Sequence, residues 1–98
     1  KGETYLRTYE LHKQGMSAEE IGRERSLSMS TIEGHLARGI GEGQVDIGAL
    51  MPEVERDEIA DWMRTHKGEG LNAAQQQFEG RFSYGQLRMV QAWLMKEE

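Results

Sequence analysis

A chain of 98 residues can bury one hydrophobic core and no more, so it forms a single small domain or two closely packed halves. Cysteine is absent, which excludes disulfides and thiolate metal sites, and no apolar run is long enough to cross a bilayer. The net charge of −5 is unevenly spread: residues 1–41 carry six basic and six acidic side chains, the remainder six against eleven. A domain that grips duplex DNA unaided usually carries a basic face, and none is evident in the sequence. Nothing at the start reads as a signal peptide, and Lys1 in place of an initiator Met suggests a piece of a larger polypeptide. A cytoplasmic protein without a membrane partner is the expectation.

One proline and frequent Ala, Leu, Met, Glu, Gln and Arg give helical composition, so the fold class is all-α. A first helix spans Glu3 to Gln14, with Tyr5, Leu6, Tyr9 and His12 at helical spacing and Gly15 as its stop. Ser17 followed by Glu20 is a capping-box pattern, and the short helix it opens runs to about Arg25, burying Ile21 and the methyl of Ala18. Ser26–Leu27–Ser28 reads as a tight turn. A third helix, capped by Ser28 or Ser30, carries Ile32, Leu36 and Ile40 on one face and ends at Gly39, Gly41 and Gly43.

Gln44 to Ala49 reads as a short extended link with Val45 and Ile47 laid inward, since a lone segment has no strand to pair with. Pro52 opens a fourth helix, whose early carboxylates Glu53, Glu55 and Asp57 suit the positive end of the helix dipole. Its buried stripe is Ile59, Trp62, Met63 and His66. A fifth helix covers Asn72 to Glu79. Ser83 caps the last, with Leu87, Val90 and Leu94 on one face and Met89 and Trp93 beside them. The sequence thus reads as a helix-turn-helix half over residues 1–43, followed by three further helices in a half over 44–98 that packs on it.

The second and third helices carry the functional signal. A short capped helix, a turn of three or four residues and a helix opening with hydroxyls is how a helix-turn-helix is built. With Ile21, Leu27, Ile32 and Leu36 inward, Ser30, Thr31, Gly34, His35 and Arg38 fall on or near the outward side, and Glu33 with them. Hydroxyls and an imidazole suit phosphates or base edges, and Arg38 could reach a phosphate. The nucleic-acid candidates are Ser28, Ser30, Thr31, His35 and Arg38, with Arg23 and Arg25 as flanking phosphate contacts. Each also has a structural role open to it: capping for Ser28, Ser30 and Thr31, packing for His35, and dipole stabilisation for Arg38. Trp62 and Trp93 read as core anchors, and the six methionines as core packing or an adaptable partner groove. His12, His35 and His66 are isolated, with no second metal ligand at useful spacing. No cofactor, small-molecule substrate or catalytic activity is expected.

The run GMSAEEIGRERSLSMSTIEGHLARGIGEGQVDIGALMP, with FSYGQLRMVQAWL near the end, resembles the helix-turn-helix domain on the C-terminal side of RecQ-family DNA helicases and related bacterial helicase-associated proteins. The matching pieces are Gly15, Ser17, Glu20 and Ile21; Leu27–Ser28 with Ser30–Thr31–Ile32 and Gly34–His35–Leu36; Val45–Asp46–Ile47; and Ser83–Tyr84–Gly85. The Ser-Thr-Ile-x-x-His-Leu core is also similar to the DNA-reading helix of LuxR-type transcription regulators. Ser26 departs from the resembled pattern, which often has glycine there; a left-handed turn at a residue with a Cβ costs about 1 kcal/mol. The resemblance implies an accessory DNA-binding module of a helicase acting in repair and recombination. Contacts through the third helix would be weak and largely sequence-independent, and a bacterial parent would place it at the nucleoid. The alternative is a protein-interaction module using the acidic C-terminal helices, with a protein partner in place of DNA.

Overall fold

A computed structural model describes residues 3–97. Its helices are α1 (Glu3–Lys13), α2 (Ala18–Arg25), α3 (Met29–Gly41), α4 (Glu53–Thr65), α5 (Leu71–Gln77) and α6 (Tyr84–Glu97), with one 3-10 turn at Ile47–Ala49 and no strand among the described residues. The fold is all-α, as the composition requires.

Local chemistry sets the helix ends. Ser17 Oγ accepts from the Glu20 amide at 3.1 Å while the Glu20 carboxylate accepts from the Ser17 amide at 2.8 Å, a complete capping box. After α2 the chain turns through Ser26 in the left-handed region, at φ 57° and ψ 43°, and the Leu27 amide donates back to the Gly22 carbonyl at 2.9 Å. This six-to-one bond satisfies an end carbonyl in the geometry glycine usually supplies, so Ser26 carries the expected strain. Ser28 then caps α3 by accepting from the Thr31 amide at 3.2 Å.

α3 is the central helix. It packs most extensively on α6, with α1 and α2 on its other side. Ile32, Leu36, Ala37 and Ile40 of α3 join Ile21 of α2, Tyr9 and Leu11 of α1 and Leu87, Met89, Val90 and Leu94 of α6 in one buried cluster, which Ile59, Ala60, Ala74 and Phe78 extend. Residues paired across the interface run in order: Glu33 with Gly85, Gly34 with Arg88, Gly41 with Ala92. The two helices are therefore parallel.

The structure departs from the sequence reading at four places. In α1 the buried face is Thr8, Tyr9 and Leu11, while Leu6 is 52% exposed, because Thr8 finds polar partners that allow it inside. Gly39 lies within α3 rather than ending it: a Cβ there would fall 2.5 Å from Val45 Cγ2 and 2.8 Å from Tyr9 Cε1, so its lack of a side chain lets α1 and the following link close on the helix. The link is a 3-10 turn over Ile47–Ala49 rather than extended chain, because the Asp46 carboxylate accepts from the Gly48 amide at 3.0 Å and coils it.

The fourth departure is Glu33, which is buried at 9% exposure instead of lying on the outward face. Both of its carboxylate oxygens lie 3.2 Å from Ser83 Oγ, which donates to them. A Cβ on Gly85 would sit 2.5 Å from Glu33 Cβ and 2.2 Å from its Oε1, so α6 can approach here only through glycine. Ser83 also caps α6, accepting from the Gln86 amide at 3.0 Å while its own amide donates to Gln86 Oε1 at 2.9 Å. Burial pushes the Glu33 carboxyl above the usual range, and the Ser83 hydroxyl partly offsets that rise.

Candidate nucleic-acid interface

With Glu33 turned inward, Ser30, Thr31 and Arg38 are the exposed side chains of the outward stripe of α3, and Gly34 and Gly41 lie along its border with α6. Glu33 is the sole acidic residue within α3, so the stripe carries no exposed carboxylate from Ser30 to Arg38, and the Glu42 carboxylate at the helix C-cap closes its far end. Ser28, Ser30 and Thr31 are exposed at its N-terminal end, where Ser28 Oγ lies 2.8 Å from Thr31 Oγ1 and 3.3 Å from Ser30 Oγ. Hydroxyls clustered beside free first-turn amides form a surface complementary to an anion. Arg38, two turns on, is exposed and held in place: its Nε donates to Glu42 at 2.9 Å, its Nη2 to the Tyr5 hydroxyl at 3.0 Å, and its guanidinium stacks 4.0 Å from the Tyr5 ring centroid.

Two candidates are placed differently. Arg25 turns back toward α1, where Nη1 donates to the Thr4 carbonyl and, at 2.7 Å, to Thr8 Oγ1. Thr8 Oγ1 in turn lies 2.9 Å from His35 Nδ1. Arg25 can only donate, so the Thr8 oxygen accepts from it while sharing one hydrogen with His35 Nδ1. His35 is half-buried between α3 and α1, and this chain of bonds ties the three helices of the motif together. Arg23 stays exposed on α2, beside Leu27 and Met29 at the start of α3, and has no hydrogen-bond or ion-pair partner among the described residues.

Burial, and then the charge of Arg25, hold the His35 imidazole below its ordinary value of 6.5. The unfolded chain therefore takes up the extra proton first. The contribution of His35 to stability is complete above pH 6.5 and declines as pH falls through the folded-state value. Urea unfolding at pH 7.5 and 5.5 should show a loss that is smaller in His35→Gln, and an NMR titration should place the imidazole midpoint below 6.5; a midpoint above 6.5 would contradict the buried geometry.

The sequence reading missed Arg88 of α6. Its Nη1 lies 3.2 Å from the point a Cβ on Gly34 would occupy, so this exposed cation sits on the edge of the α3 stripe. The signal that could have found it is the parallel pairing of α3 and α6, which periodicity within either helix does not reveal. The C-terminal half also holds a cleft of about 210 Å³ between α4, α5 and α6, lined in part by Trp62, Met63, His66, Leu71 and Met95. Trp62 stacks on His66 at 4.3 Å, and Trp93 lies 4.3 Å from the Arg56 guanidinium, so both tryptophans are half-buried anchors. Among the described residues there is no group of three His, Asp or Glu side chains that could hold a metal ion, and no helix long and apolar enough to cross a membrane.

The model of a family described as a helix-turn-helix domain matches residues 4–91, most of the chain. No curated protein and no solved structure matches. The match spans the α2–turn–α3 unit and the first half of the helix that packs against it, and the chain belongs to this helix-turn-helix family.

Proposed function

We propose that this is a non-catalytic, accessory DNA-binding domain of a RecQ-like helicase, touching DNA weakly and with little regard to sequence through α3. The observation that carries this reading is the polar stripe of Ser30, Thr31, Gly34 and Arg38 on the third helix of a helix-turn-helix, in which Glu33 is turned inward and the one flanking carboxylate, Glu42, orients Arg38. Its short polar groups and one tethered arginine suit phosphates better than a set of base edges. Support for the helicase parent comes from the resembling residues, several of which have structural roles: Ser17 with Glu20, Ser28 and Asp46 as caps, and Ser83 with Gly85 as the seat of Glu33.

Within the contact face, Ser28, Ser30, Thr31 and Arg38 are the direct contacts and Arg23 the flanking phosphate contact. His35 and Arg25 act mainly by fixing the angle between α3 and α1. Fluorescence anisotropy with duplex, forked and single-stranded DNA in a salt series tests the assignment. Micromolar binding with a negative salt slope is expected, and Arg38→Ala and Arg23→Ala should each weaken it about equally on unrelated sequences and flatten the slope by about one unit. Unchanged binding in both variants would remove the face. No binding at low salt would favour the protein-interaction reading.

A further inference from the structure

From the placement of Tyr84 and Arg88 we infer that the exposed face of α6 is a second nucleic-acid contact, which takes an unpaired strand beside the duplex held by α3. The inference rests on the DNA-binding reading and adds a substrate feature to it. Tyr84 and Arg88 are four residues apart and so lie one above the other on the same side of α6. Tyr84 is 47% exposed, a large fraction for an aromatic ring, and neither side chain has a hydrogen-bond or ion-pair partner among the described residues.

Arg88 overhangs Gly34, whose missing side chain lets the guanidinium lie close against α3 and beside its stripe. The parallel pairing places Tyr84, one residue before Gly85, toward the Ser30–Glu33 end of α3. The cation and the ring thus continue the α3 stripe sideways instead of forming a separate patch. Gln91, one turn beyond Arg88 on this face, is also exposed, and no acidic residue lies between Tyr84 and Gln91. In a chain of net charge −5, an acid-free strip that pairs an unpartnered guanidinium with an open aromatic face complements a phosphate followed by a base. Duplex DNA keeps its bases stacked and offers no base face to Tyr84. An unpaired arm does.

Anisotropy of the whole chain with a blunt duplex and with a fork of the same duplex bearing unpaired arms tests this. Tyr84→Ala should weaken fork binding about tenfold and leave the blunt duplex unchanged, while Tyr84→Phe, which keeps the ring, should bind like the native chain. Arg88→Ala should weaken the fork and flatten its salt slope by about one unit. Both side chains are exposed, so circular dichroism should show unchanged melting. If Tyr84→Ala and Arg88→Ala bind the fork as the native chain does while Arg38→Ala weakens the duplex, the α6 contact is overturned and the α3 reading stands. If the native chain binds neither substrate, both are overturned.

Discussion

Truncating Leu36 to alanine should lower stability by about 3 kcal/mol and the melting temperature by roughly 15 °C. Leu36 is fully buried on the central helix, within the cluster that includes Ile21 of α2 and Leu87 and Val90 of α6. A cavity there cannot be filled from one side without opening the other, because α3 is packed from both directions. The loss is a large part of the about 5–15 kcal/mol that holds a domain of this size. Urea denaturation followed by circular dichroism measures it. A loss below about 1 kcal/mol would mean that the helices close around the missing atoms and that α3 is not the tight centre described above.

Gly85→Ala should cost about 2–3 kcal/mol through the opposite fault, one carbon too many. The new Cβ would sit 2.5 Å from Glu33 Cβ, a contact that no rotation of the glutamate relieves, since both atoms are fixed to helical backbone. α6 must shift away from α3, and the bonds from Ser83 to the Glu33 carboxylate loosen with it. A second change identifies the cause. Glu33→Gly alone should cost about 1 kcal/mol for a glycine inside a helix, plus the loss of its packing and of the Ser83 hydrogen bond. Combined with Gly85→Ala it removes the colliding atom, so the double variant should be more stable than the sum of the two losses by at least about 1 kcal/mol. Simple additivity in equilibrium unfolding would show that the pair does not meet as described.

The helices were legible because their ends are written in single residues. The capping box at Ser17 and Glu20, the Ser28 cap and the Ser83 cap act over three or four positions and do not depend on the rest of the fold. The six helices and the face of α3 bearing Ile32, Leu36 and Ile40 follow from the same local rules. The errors fall where a distant partner decides. Thr8 is polar and buried because Arg25 and His35 meet it across the fold. Glu33 is acidic and buried because Ser83, 50 residues later, donates to it. Gly39 looks like a helix stop until Tyr9 and Val45 are seen to press on it. In the candidate site the order of Ser28, Ser30, Thr31 and Arg38 along α3 was readable from periodicity. The inward turns of Arg25 and Glu33 and the approach of Arg88 were not, since each is set by packing between elements.

Running α3 and α6 side by side in the same direction has an electrostatic consequence. Each helix behaves as a dipole with about half a positive charge at its N-terminus, and parallel neighbours bring like ends together. The first turns around Ser28 and Ser83 therefore point their unpaired amides toward one end of the molecule. The Glu33 carboxyl, hydrogen-bonded by Ser83 and packed on Gly85 in the first turn of α6, lies at this shared end. The formal charge of −5 counts side chains alone. The end of the domain where the α3 hydroxyls lie is more attractive to anions than that sum implies.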